Sequence, residues 1–136
     1  MSADKSLSLS VFDELIPERL RSRYKGPSTL MDAWESLVEE SSDGYGFGLD
    51  EFRNDLWVRD FIERLAMDHR VVDDPIRNEF RAAVDAVDAR FKSLLQPDVH
   101  IGSPDAPWWW RGVLRYADEE YADDVRRGYG VEVEVT

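Results

Sequence analysis

The chain has 136 residues, 29 of them acidic and 17 basic, for a formal net charge of −12, and it contains no cysteine. Disulfides, thiolate metal sites and cysteine nucleophiles are excluded, and the acidity argues against a basic surface for DNA, RNA or anionic membranes. Met1–Ser10 lacks the charged start and apolar run of a signal peptide, and no stretch approaches the ~18 apolar residues that span a bilayer, so a cytoplasmic protein without membrane contact is expected.

Residues 1–10 are polar and serine-rich, with Leu7, Leu9 and Val11 alternating against serines; a flexible tail is expected, with a short edge strand as the alternative. Ser10 and Asp13 have the spacing of a capping pair for a turn holding Phe12, Leu15 and Ile16. Pro17 forces Ile16 into extended geometry, so a new helix is expected from Pro17 to about Tyr24, closed by Lys25-Gly26-Pro27. A second helix is expected from about Thr29 to the Ser41–Gly44 stop, with Leu30, Ala33, Trp34, Leu37 and Val38 on its apolar face. Gly44–Gly48 interleaves three glycines with Tyr45 and Phe47; no strand precedes it and no lysine follows it as a phosphate-binding loop requires, so it reads as a turn pinned by its two aromatics.

The third helix, Leu49 to about Met67, has an apolar arc that rotates along its length, from Leu49, Phe52 and Leu56 to Trp57, Phe61 and Leu65 with Val58 and Ile62. It reads as an inner helix, with Asn54 and Asp55 as candidate buried polar residues and Asp55–Arg59 and Asp60–Arg64 as surface pairs. The fourth, Asp74 to Gln96, is the expected organising element. Asp74 caps it, Pro75 opens it and Pro97 stops it; Ile76, Phe80, Ala83, Val84, Val87, Phe91, Leu94 and Leu95 form one stripe, opposite Arg77, Arg81, Asp85, Asp88 and Lys92. A loop from Asp98 to Pro107 leads to three consecutive tryptophans, which cannot all face one way on a helix or a strand. A short helix over Ala117–Arg127, stopped by Gly128, and an alternating strand over Val131–Val135 complete the chain. The strand's expected partner is residues 108–115, with Leu7–Val11 the next candidate. The resulting fold class is mainly α: a single-domain helical bundle, residues 1–136, around one long helix, with a small C-terminal β element.

Few residues point to catalysis. His69 and His100 are the only histidines and lack metalloprotease spacing. The carboxylate pairs Glu39–Glu40, Asp73–Asp74, Glu119–Glu120 and Asp123–Asp124 lie in polar stretches, whereas general acid work needs a carboxyl in an apolar pocket. No nucleophile elbow, phosphate loop or dinucleotide fingerprint is present, and no cofactor or metal is expected. Two binding features stand out. Between Gly26 and Phe52 the chain carries Asp32, Glu35, Glu39, Glu40, Asp43, Asp50 and Glu51 and no lysine or arginine. Trp108, Trp109 and Trp110 precede the acids Asp118, Glu119, Glu120, Asp123 and Asp124. Aromatic anchors beside a charged surface characterise protein interfaces. The candidate binding residues are therefore Trp108, Trp109, Trp110, Glu119, Glu120, Asp123, Asp124, Glu39, Glu40 and Asp43; solvated acids around core tryptophans are the competing reading.

The run Gly48-Leu49-Asp50-Glu51-Phe52-Arg53-Asn54-Asp55-Leu56, continuing through Arg59 to Leu65, resembles a motif of small acidic bacterial immunity proteins of contact-dependent inhibition and related polymorphic toxin systems. Val87-Asp88-Ala89-Arg90-Phe91 and the tryptophan segment before Arg111 add to the resemblance, which covers residues 34–116. It implies a helical, non-catalytic cytoplasmic protein that binds a cognate toxin, often a nuclease, and the acidity suits such a basic partner. The family supplies no binding residues that transfer position by position. The expected function is neutralisation of a basic protein, a nuclease toxin being one such partner, without direct nucleic-acid contact. The alternatives are an accessory domain that is acidic for solubility and, behind it, a small carboxylate or metal enzyme.

Overall fold

The computed structural model describes residues 12, 14–72 and 76–136. The tail or edge strand before Phe12, the Ser10–Asp13 cap and the Asp74–Pro75 helix start lie outside these residues. The described elements are a 3-10 turn, Glu18–Leu20, then helices α1 (Pro27–Asp43), α2 (Leu49–Met67), α3 (His69–Val72), α4 (Ile76–Ser93) and α5 (Trp108–Arg111), strand β1 (Tyr116–Ala117), helix α6 (Glu119–Tyr129) and strand β2 (Glu134–Val135). The chain is mainly helical with a two-stranded sheet. No single helix dominates it: α1, α2 and α4 are 17, 19 and 18 residues long. The fourth helix ends at Ser93 rather than Gln96 because Leu95 turns away to bridge Leu114.

Two compact units are formed, one by Met1–Glu35 with Val58–Val87, the other by Ser36–Trp57 with Asp88–Thr136. In the first, the segment after Pro17 makes only the 3-10 turn, not the expected helix to Tyr24. Glu18, Arg19, Arg21, Ser22 and Arg23 are exposed, which leaves only Leu20 and Tyr24 to turn inward, and so short a helix with so narrow an apolar face is not stable. Pro27 opens α1, two residues before the expected start at Thr29, as its fixed φ suits a first helical position. Leu30, Trp34, Ile62, Leu65 and Val84 are core residues, and Tyr24 lies against Phe61 with ring centroids 6.3 Å apart.

Arg59 is buried at 1% exposure, so it is no member of a surface pair. Its Nη1 donates to Glu63 Oε1 at 3.0 Å, and Arg81 Nη1 donates to the same oxygen at 2.9 Å. Arg81 also makes the expected pair with Asp85, at 3.3 Å. Burial pushes the Glu63 carboxyl up, but Arg81 and Arg59 outweigh it and hold the group below the usual carboxylate range.

The second unit is built on aromatic rings. Phe52 meets Tyr45 and Tyr121 edge-on, at 5.0 and 5.2 Å, and stacks near Phe91 at 6.3 Å; such pairs contribute about 0.5–1.5 kcal/mol each beyond area burial. Tyr45 is fully buried, whereas Phe47, expected to pin the same loop, is 56% exposed. Asn54 is exposed and Asp55 half-buried, whereas Asp88, assigned by periodicity to the polar side of its helix, is buried. Ala83, assigned to the apolar stripe in the first unit, is exposed.

The strand pairing corrects the expected one. β1 and β2 run parallel, with Tyr116 opposite Glu134 and Ala117 opposite Val135, and α6 is the crossover that parallel strands require. Tyr45 bridges Ala117 on the other side of β1. Residues 108–111 are helical and therefore unable to serve as the strand partner. Asp118 caps α6, its carboxylate accepting from the Glu119 N–H at 2.8 Å, and the helix runs past Gly128 to Tyr129. It stops at Gly130, whose φ of 68° is left-handed and whose N–H returns to Arg126 O at 2.9 Å. Arg53 holds the added turn by donating to the Tyr129 hydroxyl.

Candidate protein-binding surface

All ten candidate binding residues fall within the second unit. The tryptophans separate by turning on the short helix α5. Trp109 points into the core at 5% exposure, while Trp108 and Trp110 are half-buried. Trp108 meets Trp109 edge-on at 5.6 Å, and Lys92 Nζ stands 4.4 Å from the Trp108 ring centroid. Trp110 meets Trp57 edge-on at 5.3 Å, and Trp57 is 44% exposed. Trp57 is the aromatic that sequence reasoning missed. Its position in the rotating apolar arc of α2 matches that of a core residue, and no local signal sets it apart.

The acids divide into two groups. Asp123 and Asp124 are half-buried and committed to local structure: Asp123 pairs with Arg126 at 3.0 Å and Asp124 with Arg127 at 2.8 Å. Asp124 Oδ2 also accepts from the Leu49 N–H at 2.9 Å, which satisfies one of the free donors that open α2. Glu120 approaches the same place. A Cβ added to Gly48 would lie 2.7 Å from Asp124 Oδ2 and 3.0 Å from Glu120 Oε1, so a side chain there would displace one or both carboxylates. The positive end of the α2 dipole favours both carboxylates. By contrast, Glu39, Glu40, Asp43, Glu119 and Glu120 are exposed and have no ion-pair partner among the described residues. All seven acids from Asp32 to Glu51 are exposed.

The Gly44–Gly48 loop brings the two acidic stretches into one neighbourhood. Tyr45 O accepts from the Asp118 N–H at 2.9 Å, and Leu49 is tied to Asp124. The end of α1, the first turn of α2 with Asp50 and Glu51, and the first turn of α6 are thus joined through short main-chain and side-chain links.

Among the described residues, no group of three or more histidines, aspartates or glutamates is disposed to hold a metal ion, and no helix is long and apolar enough to cross a membrane. His100 is exposed in its loop. Comparison of the chain with family models, curated proteins and solved structures finds no match in any of the three.

Proposed function

We propose that this chain is a non-catalytic binding protein that neutralises a basic partner by covering it, and that the partner is a cognate toxin. The observation that carries the proposal is the set of exposed carboxylates, Glu39, Glu40, Asp43, Glu119 and Glu120, without cationic partners among the described residues, in a unit that also presents the Trp57–Trp110 pair. Complementary potentials steer encounter and raise the association rate, while a partly exposed aromatic supplies the apolar anchor that slows dissociation. The toxin assignment rests on the resemblance of residues 34–116 to immunity proteins, together with the net charge of −12 that suits a basic nuclease.

The test is capture with the tagged full chain at low and moderate salt, from its host's lysate supplemented with the product of the neighbouring gene. One basic protein recovered near one-to-one, and lost when the five acids are changed to Gln or Asn, is the expected result. Recovery of nothing above background at low salt, or equal recovery by the neutralised variant, overturns the reading.

A further inference from the structure

The same unit holds a recess of opposite character. Residues 94–101 run beside residues 111–115, tied by Gln96 N–H to Val113 O at 2.8 Å, Ile101 N–H to Arg111 O at 2.9 Å and Arg115 N–H to Leu94 O at 2.9 Å. Between this pair of segments and the end of α4 lies a recess of about 280 Å³. Lys92, His100 and Arg115 line it together with Leu95, Val99 and Trp108, and no aspartate or glutamate does. In a chain with 29 acids this grouping runs against the composition.

The two cations, Lys92 and Arg115, are held in place without being neutralised. Lys92 Nζ rests on the Trp108 ring, and Arg115 Nε donates to Leu95 O at 2.9 Å. Neither has an ion-pair partner among the described residues. A guanidinium anchored through one nitrogen keeps its remaining N–H groups for an outside acceptor, and its planar fork matches a carboxylate. The larger groove alongside, about 540 Å³, shares Arg115 but includes Glu132 and Glu134 in its lining, which would repel an anion.

We propose that the recess binds a small organic carboxylate, its charged end met by Lys92, Arg115 and His100 and its apolar body by Leu95, Val99 and Trp108. The volume lies just below the usual range of about 300–1,000 Å³ for ligand pockets, so the ligand is small. The apolar wall distinguishes it from an inorganic anion, which would leave that wall wet. This site is independent of the acidic surface, and either assignment can fail without the other.

The test uses the full chain and 1-naphthoate, with calorimetry for affinity and the Trp108 indole N–H resonance for location. Saturable one-to-one binding that shifts Trp108 is expected, weakened about tenfold or more for the neutral analogue 1-naphthalenemethanol and in K92Q. R115Q should weaken it similarly; because Arg115 also bonds Leu95 O, exposed Lys92 provides the variant that leaves the fold unaltered. Absence of saturable binding, an unshifted Trp108, equal affinity for the alcohol, or wild-type affinity in K92Q overturns the proposal.

Discussion

Tyr45 donates its hydroxyl to Asp55 Oδ2 at 2.7 Å from a position with no solvent exposure. Burial, then the hydrogen bond to Asp55 and the charges of Asp55, Glu40 and Glu51, push this phenol far above the ordinary tyrosine range. Tyr121, also fully buried, is pushed up to about 12 by burial against the weaker opposing effects of the Leu114 N–H and Arg53.

An acid whose folded pKa is raised contributes stability that is fully present below its unfolded value, about pH 10 for tyrosine, and is lost as pH rises above it. Stability should therefore fall steeply in alkali. In a phenolate absorbance titration of the native chain, Tyr45 and Tyr121 should be missing from the step near pH 10 and appear only with unfolding. Y45F should flatten the alkaline loss. Titration of all five tyrosines in a single step with the fold intact would contradict this.

Asp124 is placed to stabilise the fold through the Leu49 N–H and Arg127. Replacing it with Ala removes the acceptor of the Leu49 N–H and the pair with Arg127, and should cost about 1 kcal/mol in urea unfolding, the usual cost of a lost helix cap. E119Q, at an exposed position without an ion pair among the described residues, should change stability by no more than about 0.5 kcal/mol. Equal costs for the two variants would show that the Asp124 contact contributes nothing.

Glu63 contributes to the acid limb of the stability profile. Its carboxyl is held below the ordinary range by Arg81 and Arg59 despite burial, so its contribution is complete above the unfolded value of about pH 4.3 and disappears as pH falls below it. E63Q leaves the buried Arg59 without this carboxylate and should cost about 2 kcal/mol at neutral pH, in line with hydrogen bonds to charged groups. The gap between wild type and E63Q should narrow on acidification through this range. A gap that stays constant down to acid unfolding would mean that the carboxylate's charge is not the stabilising agent.

Periodicity located most of the helical content, because burial of an apolar stripe is what makes those segments helical. It placed α2 at its observed bounds and found the Arg81–Asp85 pair. It failed where a side chain's fate depends on a distant residue. Arg59 reads as a surface charge until Glu63 and Arg81 are seen around it, and Asp124 reads as a surface acid until Leu49 is brought to it across 75 residues. The β pairing failed for a related reason. Alternation in Val131–Val135 announces a strand but carries no information on its partner, and the parallel pairing depends on α6 as a crossover. The cationic recess left a trace in the sequence, since from Lys92 to Arg115 acids are outnumbered by Lys92, Arg111, Arg115 and His100. That trace becomes a site only when residues 94–101 pair with 111–115.

Trp57 and the acids should govern different halves of the binding reaction. Trp57 is 44% exposed against the edge of Trp110, so truncating it removes that edge-on contact and the apolar area it buries, and should cost about 2–3 kcal/mol of stability. If it anchors the partner recovered by capture, W57A should speed dissociation by about tenfold or more, as expected for a hot-spot aromatic, with little change in association. Neutralising Glu39, Glu40, Asp43, Glu119 and Glu120 should do the reverse, slowing association and flattening its dependence on salt, because exposed charges act at long range and are screened within about 10 Å at 0.1 M ionic strength. Stopped-flow association and dissociation measured across a salt series separates the two effects. An unchanged off-rate in W57A would remove Trp57 from the interface, and an unchanged salt slope in the fivefold variant would return those acids to the role of solvated surface.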